Sequence, residues 1–368
     1  MLAFARRIVY KHTHVPFIQG LSMMNTTPHI RFPAEWEPQS GVQLSWPHAD
    51  TDWRDILDEV IPCFVAIAKE VARRERLLIV CPDIEAVSRQ LGDAVNRANL
   101  RFCALPTNDT WARDHGALSV FADGQPTLYD FTFNGWGMKF AANLDNQITR
   151  GLLRHNVFAP GVAYRNMLHL VLEGGSVESD GRGTILTTSE CLLSPNRNDH
   201  FSKSELEAFF REAFGAQRLL WLNHGYLAGD DTDSHIDTLA RLCSADTIAY
   251  VACDDAADEH GNALKHMEAE LRAFRTLEGA PYTLIPLPMA DPVFDDGQRL
   301  PATYANFLIV NGAVLMPTYQ SPKDELARAR LQTAFPGREI VGIDCLPLIK
   351  QHGSLHCVTM QFPEGVLT

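Results

Sequence analysis

The sequence predicts a single α/β domain, and three observations lead to that prediction. The chain has 368 residues, of which 46% are hydrophobic and 21% charged, as in a globular protein with a large core. Strand-like and helical segments alternate from one end to the other. No Pro- or Ser-rich linker interrupts them. A persistent alternation of this kind favours one α/β unit over separate domains.

Apolar residues at helical spacing predict the helices. Residues 53–73 repeat such positions and predict the first long helix. Ser202 and Glu205 have the spacing of a capping box, which predicts that a helix begins there. That helix covers about 204–214. The remaining predicted helices lie at about 83–96, 259–277 and 323–334.

Short apolar runs between these helices predict buried strands. They lie at 77–80, 218–222, 283–287, 338–343 and around 357–362. Residues 307–316 predict two short strands folded back at Asn311-Gly312, since Asn-Gly is a strong hairpin signal.

Charge and cysteine usage exclude several classes of protein. The net charge is −13 with a pI near 5.5, so nucleic acid and anionic membrane surfaces are poor partners. The eight cysteines are scattered through apolar stretches without CxxC spacing. That usage predicts reduced thiols in a cytoplasmic protein, without a disulfide framework or a structural metal. No apolar run has the length of a membrane span.

Residues 1–28 differ from the rest of the sequence. The first 26 residues contain Arg6, Arg7 and Lys11 but no acidic residue. They also contain Met23 and Met24, either of which could be a later start. We expect 1–28 to be a poorly ordered extension or a mis-assigned start, and 29–368 to be one catalytic domain. A transit-like leader is the alternative.

Four clusters contain the residues suited to chemistry. They are 107–116, with Asp109, Trp111 and Asp114; 172–176, with Glu173; 229–237, with His235 and Asp237; and 352–357, which ends in Cys357. His235 and Asp237 are two positions apart, so on an extended strand both would face the same side.

Together these residue types suit hydrolysis of a guanidinium group. That cation is planar, resonance-stabilised and always charged, hence a poor electrophile. Carboxylates around its N–H groups can bind it in a bidentate manner. A thiolate can then attack the central carbon while an imidazole protonates the departing nitrogen. We therefore expect Cys357 to be the nucleophile and His235 its proton-transfer partner.

Taken singly, each residue also has a plainer explanation. Cys357 could be an inert buried thiol, and His235 a hydrogen-bonded structural residue. The run Asp230–Asp233 is similar to part of a calcium loop, but it lacks the glycine and closing glutamate of that pattern. A non-enzymatic guanidine-binding or metal-binding protein is the distant alternative.

Many short segments resemble the agmatine deiminase and bacterial peptidylarginine deiminase family, within the guanidine-modifying pentein superfamily. The resemblance extends in order over about nine-tenths of the chain. The matching segments are FPAEWEP at 32–38, LSWPH at 44–48, FNGWG at 133–137, LLSPNRN at 192–198, YANFL at 304–308 and the four clusters above.

The resemblance implies a five-bladed α/β propeller with the active site in its central channel. It also implies hydrolysis through a covalent amidino-cysteine intermediate, without metal or organic cofactor. In this family's pattern Cys357 is the nucleophile and His235 the general acid and then base. Asp114 and Asp237 bind the guanidinium, and Glu173 supports both His235 and the substrate. Asn306 lies near the nucleophile, and Asp109 and Trp111 belong to the pocket.

Two departures from the family's pattern bear on the substrate's tail. Lys350–Leu355 replaces several glycines, and 134–138 reads NGWGM where NAWGG is usual. Segment 131–143, with Trp136 as an expected binding residue, offers only Lys139 to a substrate carboxylate. Arginine would need such a cation, preferably an Arg fork.

We therefore predict the hydrolysis of agmatine to N-carbamoylputrescine and ammonia. Arginine or peptidylarginine deimination to citrulline is the alternative. A small cationic guanidine is the expected partner, and whether the chain forms a homo-oligomer is left open.

Overall fold

Residues 28–368 are described by a computed structural model. The expected N-terminal extension lies, apart from residue 28, outside the described residues. In the described part no helix is long and apolar enough to cross a bilayer.

The structure is α/β, as predicted, and short connections separate its elements. The helices are α1 (Leu57–Ala72), α2 (Ile84–Leu91), α3 (Ala112–His115), α4 (Gly135–Met138), α5 (Ile148–Arg154), α6 (Ser189–Leu192), α7 (Pro195–Asn198), α8 (Lys203–Phe214), α9 (Gly261–Ala273), α10 (Asp324–Ala334) and α11 (Leu346–Ile349). The strands are β1 (Ile30–Arg31), β2 (Gln39–Ser45), β3 (Arg76–Cys81), β4 (Leu100–Ala104), β5 (Leu118–Ala122), β6 (Gln125–Thr132), β7 (Ala163–Val171), β8 (Val177–Ser179), β9 (Thr184–Thr188), β10 (Arg218–Leu222), β11 (Ala240–Ser244), β12 (Thr247–Ala252), β13 (Thr283–Pro288), β14 (Phe294–Asp295), β15 (Gln298–Arg299), β16 (Leu308–Val310), β17 (Ala313–Thr318), β18 (Glu339–Asp344) and β19 (Thr359–Pro363).

The strands of residues 28–368 form five sheets of three or four strands and one separate hairpin, β14–β15. Each of the five sheets contains the same unit. An antiparallel pair is followed by one or more helices and then by a strand parallel to the second of the pair. The units are β5–β6–β7, β8–β9–β10, β11–β12–β13, β16–β17–β18 and β19–β2–β3.

The fifth unit joins distant parts of the chain. Strand β19 pairs antiparallel with β2, and β3 and β4 continue that sheet in parallel. Cys357, the expected nucleophile, lies two residues before β19 and is thereby fixed beside a sheet whose other strands come from the first third of the sequence.

Most predicted elements are confirmed. The capping box of Ser202 and Glu205 opens α8, and β16 and β17 form the hairpin at Asn311-Gly312. The helix predicted at 83–96 is too long, because Gly92 adopts a positive φ of 56° and ends α2. His235 and Asp237 do not lie on an extended strand, so the condition under which both would face the same side is not met. Residues 236–238 form a 3-10 turn instead, and β11 begins only at Ala240.

Candidate active site

The candidate residues occupy equivalent places in the five units. Asp114 precedes β5, Glu173 precedes β8, and His235 and Asp237 precede β11. Asn306 precedes β16, and Cys357 precedes β19. Each unit therefore contributes polar side chains from the connection that leads into its first strand. All five connections are adjacent in space, as the contacts below show.

Cys357 is held beside Asn306 and Asp237. Its Sγ is 3.4 Å from Asn306 Oδ1 and 4.0 Å from Asp237 Oδ2. Asn306 Oδ1 also accepts the backbone N–H groups of His356, at 2.9 Å, and of Cys357, at 3.3 Å. Burial, together with the negative charges of Asp237 and Asp114, raises the pKa of Cys357 well above its ordinary value. The resting thiol therefore needs added positive charge to ionise.

His235 is completely buried, and its ring nitrogens have no hydrogen-bond partner among residues 28–368. Its Nδ1 is 3.7 Å from Asp114 Oδ1. Burial lowers the pKa of His235 to about 3, so the resting imidazole is neutral. The ring is thus free to exchange a proton with a ligand that enters the site.

Asp114 is fixed by two donors. Its Oδ2 accepts the indole N–H of Trp136 at 2.9 Å, and its Oδ1 accepts the backbone N–H of Gly175 at 3.1 Å. Burial and the charges of Asp237 and Glu173 raise its pKa well above the ordinary value. A bound cation would reverse this effect by favouring the carboxylate.

Asp237 is paired with His356. Its Oδ2 lies 2.7 Å from His356 Nδ1, whereas its Oδ1 has no partner among the described residues. Burial alone would raise the pKa of Asp237, but the hydrogen bond and charge of His356 outweigh it and hold that pKa below its usual value. One oxygen of an ionised carboxylate is therefore available to a ligand.

Glu173 is bound by an arginine that the sequence reasoning did not assign. Arg197 Nε lies 3.0 and 3.3 Å from the two oxygens of Glu173, and its guanidinium also pairs with Asp233. A nitrogen of His235, an oxygen of Glu173 and the sulfur of Cys191 lie within 4.8 Å of one another. Glu173 is therefore near His235, as expected, although its closest partner is Arg197.

A cleft opens onto Cys357 and encloses, with its mouth, about 440 Å³. Of the expected residues it exposes Asp109, Trp111, Asp114, Trp136 and Cys357; the rest of its lining is Asp52, Phe140, Asp231, Thr232, Gln351, His352 and Gly353. Four further expected residues are buried and do not line the cleft: Glu173, His235, Asp237 and Asn306. The lining contains four aspartates and, within the described residues, no lysine or arginine.

Three of the lining residues form an aromatic and acidic wall. Trp111 packs edge-on against Trp136, with ring centroids 6.0 Å apart. Asp109 accepts the indole N–H of Trp53 at 2.8 Å. Burial and the nearby charge of Asp52 raise the pKa of Asp109 to about 7. This wall can hold an aliphatic chain and a second cation.

Two glycines allow the close approaches on which the site depends. A Cβ at Gly175 would lie 2.5 Å from His235 Nδ1, 3.0 Å from Asp114 Oδ1 and 3.1 Å from Asp237 Oδ2. A Cβ at Gly353 would lie 2.1 Å from the Trp111 ring. These contacts also show that the imidazole and both carboxylates converge on one small region.

Lys139, the one cation that the sequence offers in segment 131–143, is already paired. Its Nζ donates to Asp233 Oδ1 at 2.8 Å and to the Asp231 carbonyl at 2.6 Å. Trp136 and Met138, in the same segment, adopt positive φ values of 54° and 68°. The segment is therefore bound to the loop that precedes His235, and its Lys139 is not directed at the cleft.

Two groups of side chains have the proximity of metal ligands: Glu173, Cys191 and His235, and Glu35, Glu178 and His356. In each group an arginine supplies the compensating charge. Arg197 binds Glu173, and Arg241 binds Glu35 and Glu178. An arginine guanidinium already occupies the carboxylate oxygens that a metal ion would need as ligands. These groups of side chains therefore fit ion pairs better than a metal site. The run Asp230–Asp233 does not appear among such groups in the described chain.

Sequence reasoning assigned no role to Glu35, Arg197, Arg241 or His356. All four are buried charged or titratable residues, and three of them lie in segments already matched to the family, at 32–38, 192–198 and 352–357. Burial of a charged residue is the signal that identifies them, and that signal requires the structure.

Comparisons with known proteins identify the family of this chain. The family model of the Porphyromonas-type peptidyl-arginine deiminase matches residues 31–363. Agmatine deiminase from Pseudomonas aeruginosa is 32% identical, over 93% of this chain and 99% of its own.

Two solved structures are also similar. A Porphyromonas gingivalis protein, provisionally assigned as an arginine deiminase, is 55% identical with a TM-score of 0.89, over 92% of this chain and 100% of its own. A cysteine-to-serine variant of C. jejuni agmatine deiminase, with substrate bound, is 35% identical with a TM-score of 0.86, over 94% and 99%. The chain belongs to the Porphyromonas-type peptidyl-arginine deiminase family.

Proposed function

We propose that this protein hydrolyses agmatine to N-carbamoylputrescine and ammonia. The observation that supports this most directly is the cleft with four aspartates in its lining and a cysteine at its base. Agmatine has a cation at each end, so it fits a cleft with acids both beside Cys357 and nearer the mouth. The named activity of the Pseudomonas aeruginosa and C. jejuni relatives points to the same substrate.

In the proposed reaction, Asp114 and the free oxygen of Asp237 bind the guanidinium through its N–H groups. The Cys357 thiolate attacks the central carbon, and the resulting tetrahedral adduct collapses as the departing nitrogen takes a proton from His235. Ammonia leaves, and a positively charged amidino group stays on the sulfur. His235 then removes a proton from water, which attacks the same carbon and releases the urea product and the thiol.

The substrate itself supplies the charge that starts this sequence. In the free protein, burial raises the pKa of Cys357 and lowers that of His235 to about 3, so thiol and imidazole are both neutral. A guanidinium placed between Asp114 and Asp237 favours the thiolate electrostatically. The Cys357 proton can then pass to His235, which becomes the acid needed for ammonia release.

Arginine or peptidylarginine deimination is the second candidate, because the Porphyromonas gingivalis protein provisionally assigned to that activity shares more identity than the agmatine deiminases above. The geometry of the described residues favours agmatine. A substrate carboxylate would meet Asp52, Asp109 and Asp231, and Lys139 is paired elsewhere.

The arrangement of the five units also belongs to this proposal. We infer that they stand as five blades around the site, because each contributes polar residues from the same connection. Residues 29–368 would then be one pentein domain. The eight cysteines, all free and buried, support a reducing, cytoplasmic location.

Steady-state ammonia release from agmatine, arginine and an arginyl peptide tests the substrate. We expect kcat/KM for agmatine to exceed the others by at least tenfold. A preference for arginine of that size would overturn the choice. Mass spectrometry of protein quenched during turnover tests the chemistry, since one amidino group should be added to the peptide that contains Cys357. A non-enzymatic binding protein would show neither result.

A further inference from the structure

His356, the residue before the nucleophile, lies between two buried carboxylates. Its Nδ1 is 2.7 Å from Asp237 Oδ2, and its Nε2 is 2.8 Å from Glu35 Oε2. The ring is 2% exposed. Asp237 faces the reacting groups, whereas Glu35 belongs to segment 32–38 on the side of β16. His356 thus connects the candidate site to a second buried acid.

Two ionised carboxylates are best satisfied by a proton on each ring nitrogen. An ionised carboxylate is an acceptor only, so a bare nitrogen at 2.8 Å would place two lone pairs against each other. Arg241 Nη2 also lies 2.8 Å from Glu35 Oε2 and 3.1 Å from His356 Nε2. A guanidinium only donates, so two arrangements fit these distances. In the first, Arg241 and a protonated Nε2 both donate to Glu35 Oε2; in the second, Arg241 also donates to a bare Nε2.

The charges of the surrounding groups favour the first arrangement, in which the ring is an imidazolium. His356 is faced by Glu35 and Asp237, and beyond them by Arg241, Arg113 and Glu178. With a charged His356 this buried network contains three cations and three carboxylates. With a neutral His356 it would contain an uncompensated buried negative charge, which is costly in a low-dielectric interior.

We propose that His356 is a positioning residue whose imidazolium holds Asp237 by one oxygen, turns the other oxygen toward the substrate guanidinium, and offsets the charge that Asp237 places beside Cys357. This inference rests on the proposed function. The proposed mechanism needs Asp237 ionised with one free oxygen, and it needs Cys357 to lose a proton 4.0 Å from that carboxylate. The imidazolium meets both needs.

The test uses His356→Gln and Glu35→Gln in the full chain. Glutamine removes the ring charge in the first variant and one of the two acceptor charges in the second. His260→Gln is the matched control, since His260 is also buried and bonded to a carboxylate, Asp258 at 2.6 Å, but does not line the cleft. Thermal unfolding identifies the variants that fold.

Two readouts separate positioning from general stability. The first is the pH dependence of Cys357 alkylation by iodoacetamide, which needs no substrate. Without the imidazolium, Asp237 opposes the thiolate, so alkylation of His356→Gln should slow about tenfold at a given pH. The second is the pair of separate effects on kcat and on KM for agmatine. KM should rise about 10- to 100-fold in His356→Gln, because Asp237 is no longer held in position for the guanidinium. Glu35→Gln should shift both in the same direction, and His260→Gln neither.

An alkylation profile or a KM within threefold of wild type in folded His356→Gln would overturn the proposal. If that variant does not fold, Glu35→Gln decides by the same criteria. If the wild-type protein releases ammonia from no guanidine and the alkylation profile still shifts, the proposed function fails while the charge of His356 stands. The two failures are thus distinguishable.

Discussion

Replacing Trp136 with phenylalanine would remove one hydrogen bond from the candidate site and keep an aromatic ring in place. The indole N–H donates to Asp114 Oδ2 at 2.9 Å, and both residues are buried. A hydrogen bond to a charged group contributes about 1.5–3 kcal/mol. At about 1.4 kcal/mol per factor of ten, Trp136→Phe should therefore lower kcat/KM for agmatine about 10- to 150-fold.

The loss of kcat/KM in Trp136→Phe should depend on pH, in a direction set by the pKa of Asp114. The indole N–H favours the ionised form of Asp114, whose pKa burial and neighbouring acids already raise. Its loss raises that pKa further, so the deficit should be largest at low pH and shrink as the pH rises. Steady-state ammonia release across the pH range measures both effects. Trp221→Phe is the control, because its indole donates to Glu207 at 3.0 Å away from the cleft. A kcat/KM within twofold of wild type at every pH would refute the reasoning.

Three further predictions concern the same site. His235→Ala should lower kcat at least tenfold, because its ring exchanges the protons of both half-reactions; retention of more than about a tenth of wild-type kcat would contradict the acid–base role. Gly175→Ala should reduce kcat/KM at least tenfold in a folded protein, since its Cβ would lie 2.5 Å from His235 Nδ1; normal ammonia release would show that the imidazole moves freely. Asp109→Asn should raise the Tm above pH 7. Burial raises the pKa of Asp109 to about 7. At any pH above the lower pKa that this carboxyl has in the unfolded chain, folding must either add a proton to Asp109 or bury its charge, and both lower the free energy of unfolding. This gain should shrink as the pH falls from 7 toward 4, and a gain that grows on acidification would reverse the assigned shift.

Much of the fold follows from local sequence patterns. The boundaries of β10 match the predicted 218–222, and the hairpin at Asn311-Gly312 is formed as expected. Local patterns failed where the backbone depends on contacts distant in sequence. The turn at 236–238, for example, is fixed by Thr303 and Thr188, which bind the Thr238 and Ser234 carbonyls. No periodicity within 229–237 encodes those partners.

The candidate site was predictable as a set of residues but not as a network. Matching segments predicted Cys357, His235 and four acids as site residues before any geometry was known. The arginine that binds Glu173 and the histidine that binds Asp237 could not be inferred, because an ion pair between residues far apart in sequence leaves no local pattern. Cys191 was indistinguishable from the other buried thiols until its distance to His235 was known.

The pairing of β19 with β2 has a consequence for biosynthesis. On the ribosome the connection that contains the reactive sulfur is made after the other four units, and it reaches its partners only when β19 docks beside a strand made hundreds of residues earlier. A nascent chain therefore contains every strand of the other four sheets before it contains the proposed nucleophile. Cleavage between β18 and β19 would likewise separate Cys357 from those four sheets, whose strands would all remain on one fragment.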